Sequence, residues 1–167
     1  MGSTPHDRLV HIRRSSACER IPPRSGNVDV CNGMKLSVGD VSLQIVTMPG
    51  HTPGTLSYLF EFRDNGRPLR VAYVGGTAIP FDAPAAYYDE YIASSRKFSK
   101  AAADFGATVL LSNHTEFDNG YYKAHTAANR KPGEPNPFDV GKDGVARYFG
   151  VVQACAEATK LRASMKK

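Results

Sequence analysis

The chain has 167 residues, 41% of them hydrophobic and 22% charged, with a formal charge of +5. That size and mixture suit one globular domain with a real core and exclude wholesale disorder. No apolar run reaches the roughly 18 residues that cross a bilayer, and the basic residues gather only near the two ends, the pattern of a solvated surface rather than a nucleic-acid footprint.

Residues 1–27 read as an irregular leader. They have no hydrophobic period and carry Pro22, Pro23, Ser25 and Gly26. Arg8, Arg13 and Arg14 interrupt any signal-peptide core. Arg and Ser are frequent there, as in transit peptides, but Asp7 and Glu19 count against that reading. Cys18, Cys31 and Cys155 are widely spaced and lack a CxxC pair. They imply neither a disulfide framework nor a cysteine zinc site, so a reducing, cytoplasmic setting is expected.

Residues 28–167 form the expected domain. Leu36 and Val38 alternate with polar neighbours, Gly39-Asp40 signals a turn, and Val41, Leu43 and Ile45 alternate again, predicting a hairpin. Thr55 to Phe62 and Leu69 to Val74 flank Asp64-Asn65-Gly66, predicting a second hairpin. A helix opens at Asp82 or Pro84 and places Tyr87, Tyr88, Tyr91, Ile92, Phe98, Ala102 and Phe105 on one face, with Gly106 as its left-handed end. Val109 to Leu111 reads as a buried strand. A short helix over 120–130, a proline-rich loop over 131–138 and a last helix starting near Asp143 complete the chain. That last helix is expected to bury Val145, Tyr148, Phe149, Val152, Cys155 and Ala156.

Two of the five histidines stand out by position. His6 and His11 lie in the leader and His125 in a helix, where a surface or packing role is the simpler reading. His51 lies in Met48-Pro49-Gly50-His51-Thr52-Pro53-Gly54-Thr55, between two strands. Paired prolines and glycines make a rigid, sharp loop, which suits either a structural turn or a pre-positioned metal ligand. His114 follows the buried run in Leu111-Ser112-Asn113-His114, with Asn113 able to orient neighbours. Imidazoles at two strand ends suit zinc.

These segments carry a resemblance. Pro49-Gly50-His51-Thr52-Pro53-Gly54 resembles the third metal-binding motif of the metallo-β-lactamase superfamily. Gly75-Gly76-Thr77-Ala78 stands where that superfamily has its fourth motif, and Leu110 to His114 resembles its last. The resemblance implies an α/β (α+β) fold, the C-terminal half of an αββα sandwich, with a mainly antiparallel sheet covered by helices on one face. It implies His51 and His114 as ligands of one zinc ion each, with Thr77, Asn113 and Thr52 beside them. Thr77 could hold a water, orient His51 or simply pack.

Two departures limit what carries over. The HxHxDH motif that supplies most ligands in the family is absent from the 167 residues, and only 50 residues precede His51. Gly75-Gly76-Thr77 contains no bridging aspartate, which places the chain nearer the lactamase-like members than the glyoxalase or nuclease types. The resemblance thus implies a truncated metal-dependent hydrolase of β-lactam, lactone or ester type, with one or two zinc ions in the complete family site and weak or absent zinc here. The expected partners are a small-molecule substrate in the intact family, and self-association or a complementing chain through the uncovered sheet, with Leu43, Ile45, Leu56, Tyr58 and Val71 as candidates for the uncovered face or its opposite. A non-catalytic interaction module using that sheet is the alternative. Membrane and nucleic acid are not expected partners.

Overall fold

A computed structural model describes residues 10–13 and 30–165. Six strands form one sheet in chain order: β1 (Val10–Arg13), β2 (Lys35–Val38), β3 (Val41–Thr47), β4 (Leu56–Asp64), β5 (Arg67–Val74) and β6 (Val109–Ser112). Each neighbouring pair is antiparallel except β5–β6, which is parallel. A parallel pair needs a long crossover, and helix α1 (Ala85–Phe105) supplies it. Helices α2 (Gly120–Ala128) and α3 (Gly141–Ser164) follow β6.

Local chemistry explains the turns. Asn65 and Gly66 both have positive φ, 51° and 84°, as the tight turn between twisted strands requires. Gly106 ends α1 at φ 73° and its N–H closes on the carbonyls of Ala102 and Ala103, the left-handed stop predicted for it.

One sheet face packs on α1 and α3. Val46, Met48, Leu59, Ala72, Val74 and Leu110 meet Phe98, Ala102, Val145 and Phe149 there. Phe98 and Phe149 cross edge to face at 5.7 Å, the arrangement that suits aromatic quadrupoles. Tyr88, Tyr91, Ile92 and Ala156 form a second core between the two helices. On the opposite face the register aligns Leu43, Phe60, Val71 and Val109 in one row, and Ile45, Tyr58, Tyr73 and Leu111 in the next. Ile45 and Val71 are buried, whereas Leu43, Leu56 and Tyr58 are half-buried and Phe62 is exposed. Phe138, from the proline-rich loop, packs on this face. The five residues named as candidates for the uncovered face or its opposite share the helix-free face, where Ile45 and Val71 are covered.

Several expectations need correction. Val10–Arg13 is a strand inside the segment read as irregular, and the rest of that segment lies outside the described residues. The last helix starts at Gly141, not Asp143; Val140 occupies the cap position without a side-chain bond, and Asp143 sits in the first turn, where its charge suits the helix dipole. Cys155 is exposed. Cys31 is disulfide-bonded, whereas the sequence reading implied no disulfide framework. The 120–130 helix ends at Ala128. Among the described residues no helix is long and apolar enough to cross a membrane.

The outer margin of β6 is not bare. Val109 bridges Asp139 and the Gly141 N–H donates to the Thr108 carbonyl at 3.0 Å. Arg67 pairs with Asp139 at 2.6 Å.

Candidate functional site

Strand direction decides which loops meet. β3 and β5 are each antiparallel to β4, and β6 is parallel to β5. The C-terminal ends of β3, β5 and β6 therefore fall on one edge of the sheet, and the loops after them carry His51, Thr77 and His114. Ligand sites collect at such carboxyl edges because loops there project side chains beyond the sheet.

The His51 loop is held by its own bonds. Met48 N–H donates to the Thr55 carbonyl at 2.8 Å, and Thr52 N–H donates to the Thr55 hydroxyl at 3.0 Å. The two hydroxyls meet at 2.9 Å, so Thr52 is committed to the loop. Gly50 adopts φ 136°, and a Cβ on it would lie 2.7 Å from the Tyr91 Cα. Gly76 approaches from the β5 end, where a Cβ would stand 2.6 Å from the Cβ of His51. Both glycines are thus required by close approach.

The His51 ring is fixed by a backbone acceptor: Nδ1 bonds the carbonyl of Ala78. A carbonyl only accepts, so Nδ1 carries the proton and Nε2 keeps its lone pair. Sequence reasoning offered Thr77 for this orienting role, and the structure gives it to the next residue's carbonyl.

Thr77 instead belongs to the His114 side. The His114 N–H donates to Ser112 Oγ at 3.2 Å, Ser112 meets the Thr77 hydroxyl at 2.9 Å, and Thr77 donates to Asn113 Oδ1 at 2.8 Å. Each hydroxyl has one proton, so the chain has one consistent direction from His114 to Asn113. Asp118 closes it from below by accepting the Ser112 N–H at 2.9 Å, and the Tyr91 hydroxyl donates to the Thr77 carbonyl at 3.2 Å. Thr77, Ser112 and Asp118 are buried, so these bonds form away from competing water and hold the loop firmly. Burial raises the Tyr91 phenol well above its ordinary range and pushes that of Tyr148, which lies beside Ser112 and Thr77, up to about 12.

The two rings come together. The centroids of His51 and His114 lie 5.8 Å apart with planes at 80°, and both side chains are half-buried. Phe117 stands edge-on to His114 at 6.2 Å and is itself exposed. His125 lies on α2 and is exposed; His6 and His11 are outside the residues whose side chains are described. Sequence reasoning missed Ser112, Asp118, Tyr91 and Ala78. Ser112 stood next to the Asn113-His114 pair and could have been read as its support. Asp118 and Tyr91 carry no local signal that separates them from a loop acid and a core aromatic.

The chemistry of this donor set suits a zinc-class ion only in part. Nε2 of His51 and the His114 ring are two imidazole donors of the right kind. Among the described residues no group of three or more His, Cys, Asp or Glu side chains converges to complete a shell.

Comparison with solved structures identifies the architecture. The chain is similar to BJP-1, a subclass B3 metallo-β-lactamase of Bradyrhizobium japonicum, with TM-score 0.66 and 22% identity over 82% of this chain and 51% of that one. It is similar to native FEZ-1 metallo-β-lactamase from Legionella gormanii at TM-score 0.65 and 16% identity, covering 80% and 50%. A metallo-β-lactamase from Cronobacter sakazakii matches at TM-score 0.63 and 25% identity, covering 86% and 53%. No sequence-family model matches the chain. The chain thus spans about half the length of the solved structures it matches, and it is a partial metallo-β-lactamase-fold domain.

Proposed function

We propose that the chain carries part of a zinc-dependent hydrolase site, with His51 and His114 as metal ligands, and that it does not hydrolyse β-lactams, lactones or esters by itself. The observation that carries this reading is the 5.8 Å approach of two imidazoles at the carboxyl edge of the sheet. A catalytic zinc takes about three protein ligands plus water, and lowers that water's pKa toward roughly 7. Two imidazoles leave that shell short, so a complementing segment bearing the HxHxDH ligands is needed for turnover. Thr77, Asn113 and Thr52 support the two loops rather than touch the reacting atoms.

Two measurements test this. Zinc titrated into the purified chain is expected to bind weakly and to lose binding in His51→Ala and His114→Ala. Nitrocefin and lactone hydrolysis by the zinc-loaded chain is expected to stay at the buffer rate, and enzyme-dependent turnover would overturn the claim.

A second reading has its own observation. Half-buried Tyr58, Tyr73 and Leu111, with exposed Phe62 on the same face, give the helix-free side an apolar surface fit for a partner. Under this reading the chain is a non-catalytic interaction module. Absence of zinc uptake, together with association weakened by Phe62→Ser, would favour it over the first.

A further inference from the structure

We infer that Asn65 is a site of spontaneous self-modification: the backbone nitrogen of Gly66 attacks its side-chain amide, and the turn between β4 and β5 converts with age to aspartate and isoaspartate.

The chemistry belongs to the Asn-Gly pair itself. The glycine amide nitrogen loses its proton to base and forms a bond to the asparagine Cγ. The Cγ–Nδ2 bond breaks, and the side-chain nitrogen takes up a proton and leaves as ammonia. The product is a five-membered succinimide. Water then opens the ring at one carbonyl or the other, which leaves aspartate or isoaspartate. Glycine permits the attack best, because it has no Cβ to restrict rotation or to shield the nitrogen.

The sequence contains three such pairs: Asn32-Gly33, Asn65-Gly66 and Asn119-Gly120. The fold restrains two of them. The Gly33 N–H donates to the Ile45 carbonyl at 2.8 Å, and Asn32 Oδ1 accepts the Thr47 N–H at 3.1 Å. Gly120 is buried, and its N–H donates to the Thr115 carbonyl at 2.9 Å. A nitrogen held in this way must give up its bond before it can lose the proton and attack.

The middle pair has no such restraint. Among the described residues the Gly66 N–H makes no hydrogen bond. Arg63 holds this glycine by its carbonyl instead, at 3.0 Å. Asn65 and Gly66 are both exposed at the hairpin tip, and nothing stands within 4 Å of the place where a Gly66 Cβ would be. Base and water therefore reach the reacting atoms, and the tip can open without breaking a core contact. The product also matters to the hairpin. Isoaspartate routes the backbone through the former side chain and lengthens it by one atom. A two-residue turn of that kind cannot keep Asp64 opposite Arg67.

The test is site-resolved mass spectrometry of the full 167-residue chain, aged in warm, mildly alkaline buffer. The mass gain of amide to acid is expected at Asn65 about fivefold faster than at Asn32 or Asn119, the factor that one net backbone hydrogen bond is worth. Isoaspartyl methyltransferase is expected to label the same peptide. Asn65→Gly, which keeps a residue suited to positive φ, is expected to abolish that label. In denaturant the three sites are expected to react at nearly one rate. Asn32 or Asn119 reacting as fast as Asn65 in the folded chain would overturn the inference, and so would an intact Asn65. The same ranking in denaturant would also overturn it, because local sequence rather than the fold would then set the selectivity.

Discussion

Gly76 sets how closely the end of β5 can approach the His51 loop. A methyl there would press on the Cβ of His51 at 2.6 Å and on the Thr55 Cγ2 at 2.8 Å. Neither neighbour is the far end of a flexible chain, so the loop itself must shift. Gly76→Ala is expected to destabilise the fold by about 1–3 kcal/mol through overpacking, read as a fall in Tm of roughly 3–10 °C. Zinc binding should weaken at the same time because the displaced residue is a proposed ligand. An unchanged Tm would mean that the approach is looser than these distances imply. At this scale the sequence was legible where chemistry and punctuation coincided. His51 sat between paired Pro and Gly, and His114 followed a buried run. The orienting groups were not legible, because a backbone carbonyl such as that of Ala78 belongs to every residue, and only three dimensions select which one faces Nδ1.

At the scale of elements, Asp64 and Arg130 tie the β4–β5 hairpin to the chain leaving α2. The guanidinium donates to both carboxylate oxygens, at 2.9 and 2.5 Å, and the side chains are only 17% and 14% exposed. The Arg130 hydrogen bonds hold the Asp64 carboxyl below its usual value. A depressed acid stabilises the fold above its unfolded pKa and ceases to do so as pH falls through its folded value. Arg130→Ala is therefore expected to lower Tm near neutral pH more than Arg67→Ala, whose side chain is 57% exposed, and that difference should shrink as pH falls below the ordinary carboxylate range and through the lowered folded value of Asp64. Equal effects of the two substitutions at pH 7 would refute the ranking. The elements themselves were largely readable from period and punctuation. Alternation gave β2 to β5, Asn65-Gly66 gave the turn, and Gly106 gave the end of α1. The start of α3 was misplaced because no capping side chain marks it, and strand β1 was missed because four residues without a flanking period carry too little pattern.

Across the whole molecule, two phenol hydroxyls from the helix layer are buried near the sheet edge, and that of Tyr91 bonds the Thr77 carbonyl there. Tyr91 comes from α1 and Tyr148 from α3, and burial is the main cause of both raised values. The folded state then holds protons that the unfolded state gives up above about pH 10, so stability falls with rising pH in that window. Denaturant unfolding is expected to show a decline between about pH 10 and 12 that is shallower in Tyr148→Phe. A slope unaffected by that substitution would place the loss in other groups. The overall architecture was legible because three motifs at strand ends appeared in order. The covering of Val71 was not, since nothing in a proline-rich loop announces that Phe138 will fold back onto a sheet.

The contacts along β6 have a consequence for self-assembly. An unpaired strand margin invites an incoming extended polypeptide to continue the ladder, the usual seed of fibrillar growth. Here Thr108 and Val109 already engage residues 139–141, and the Arg67–Asp139 ion pair moors that segment in place. Propagation of cross-strand hydrogen bonding is thereby blocked at this flank, and an intruding strand would first have to peel the segment away.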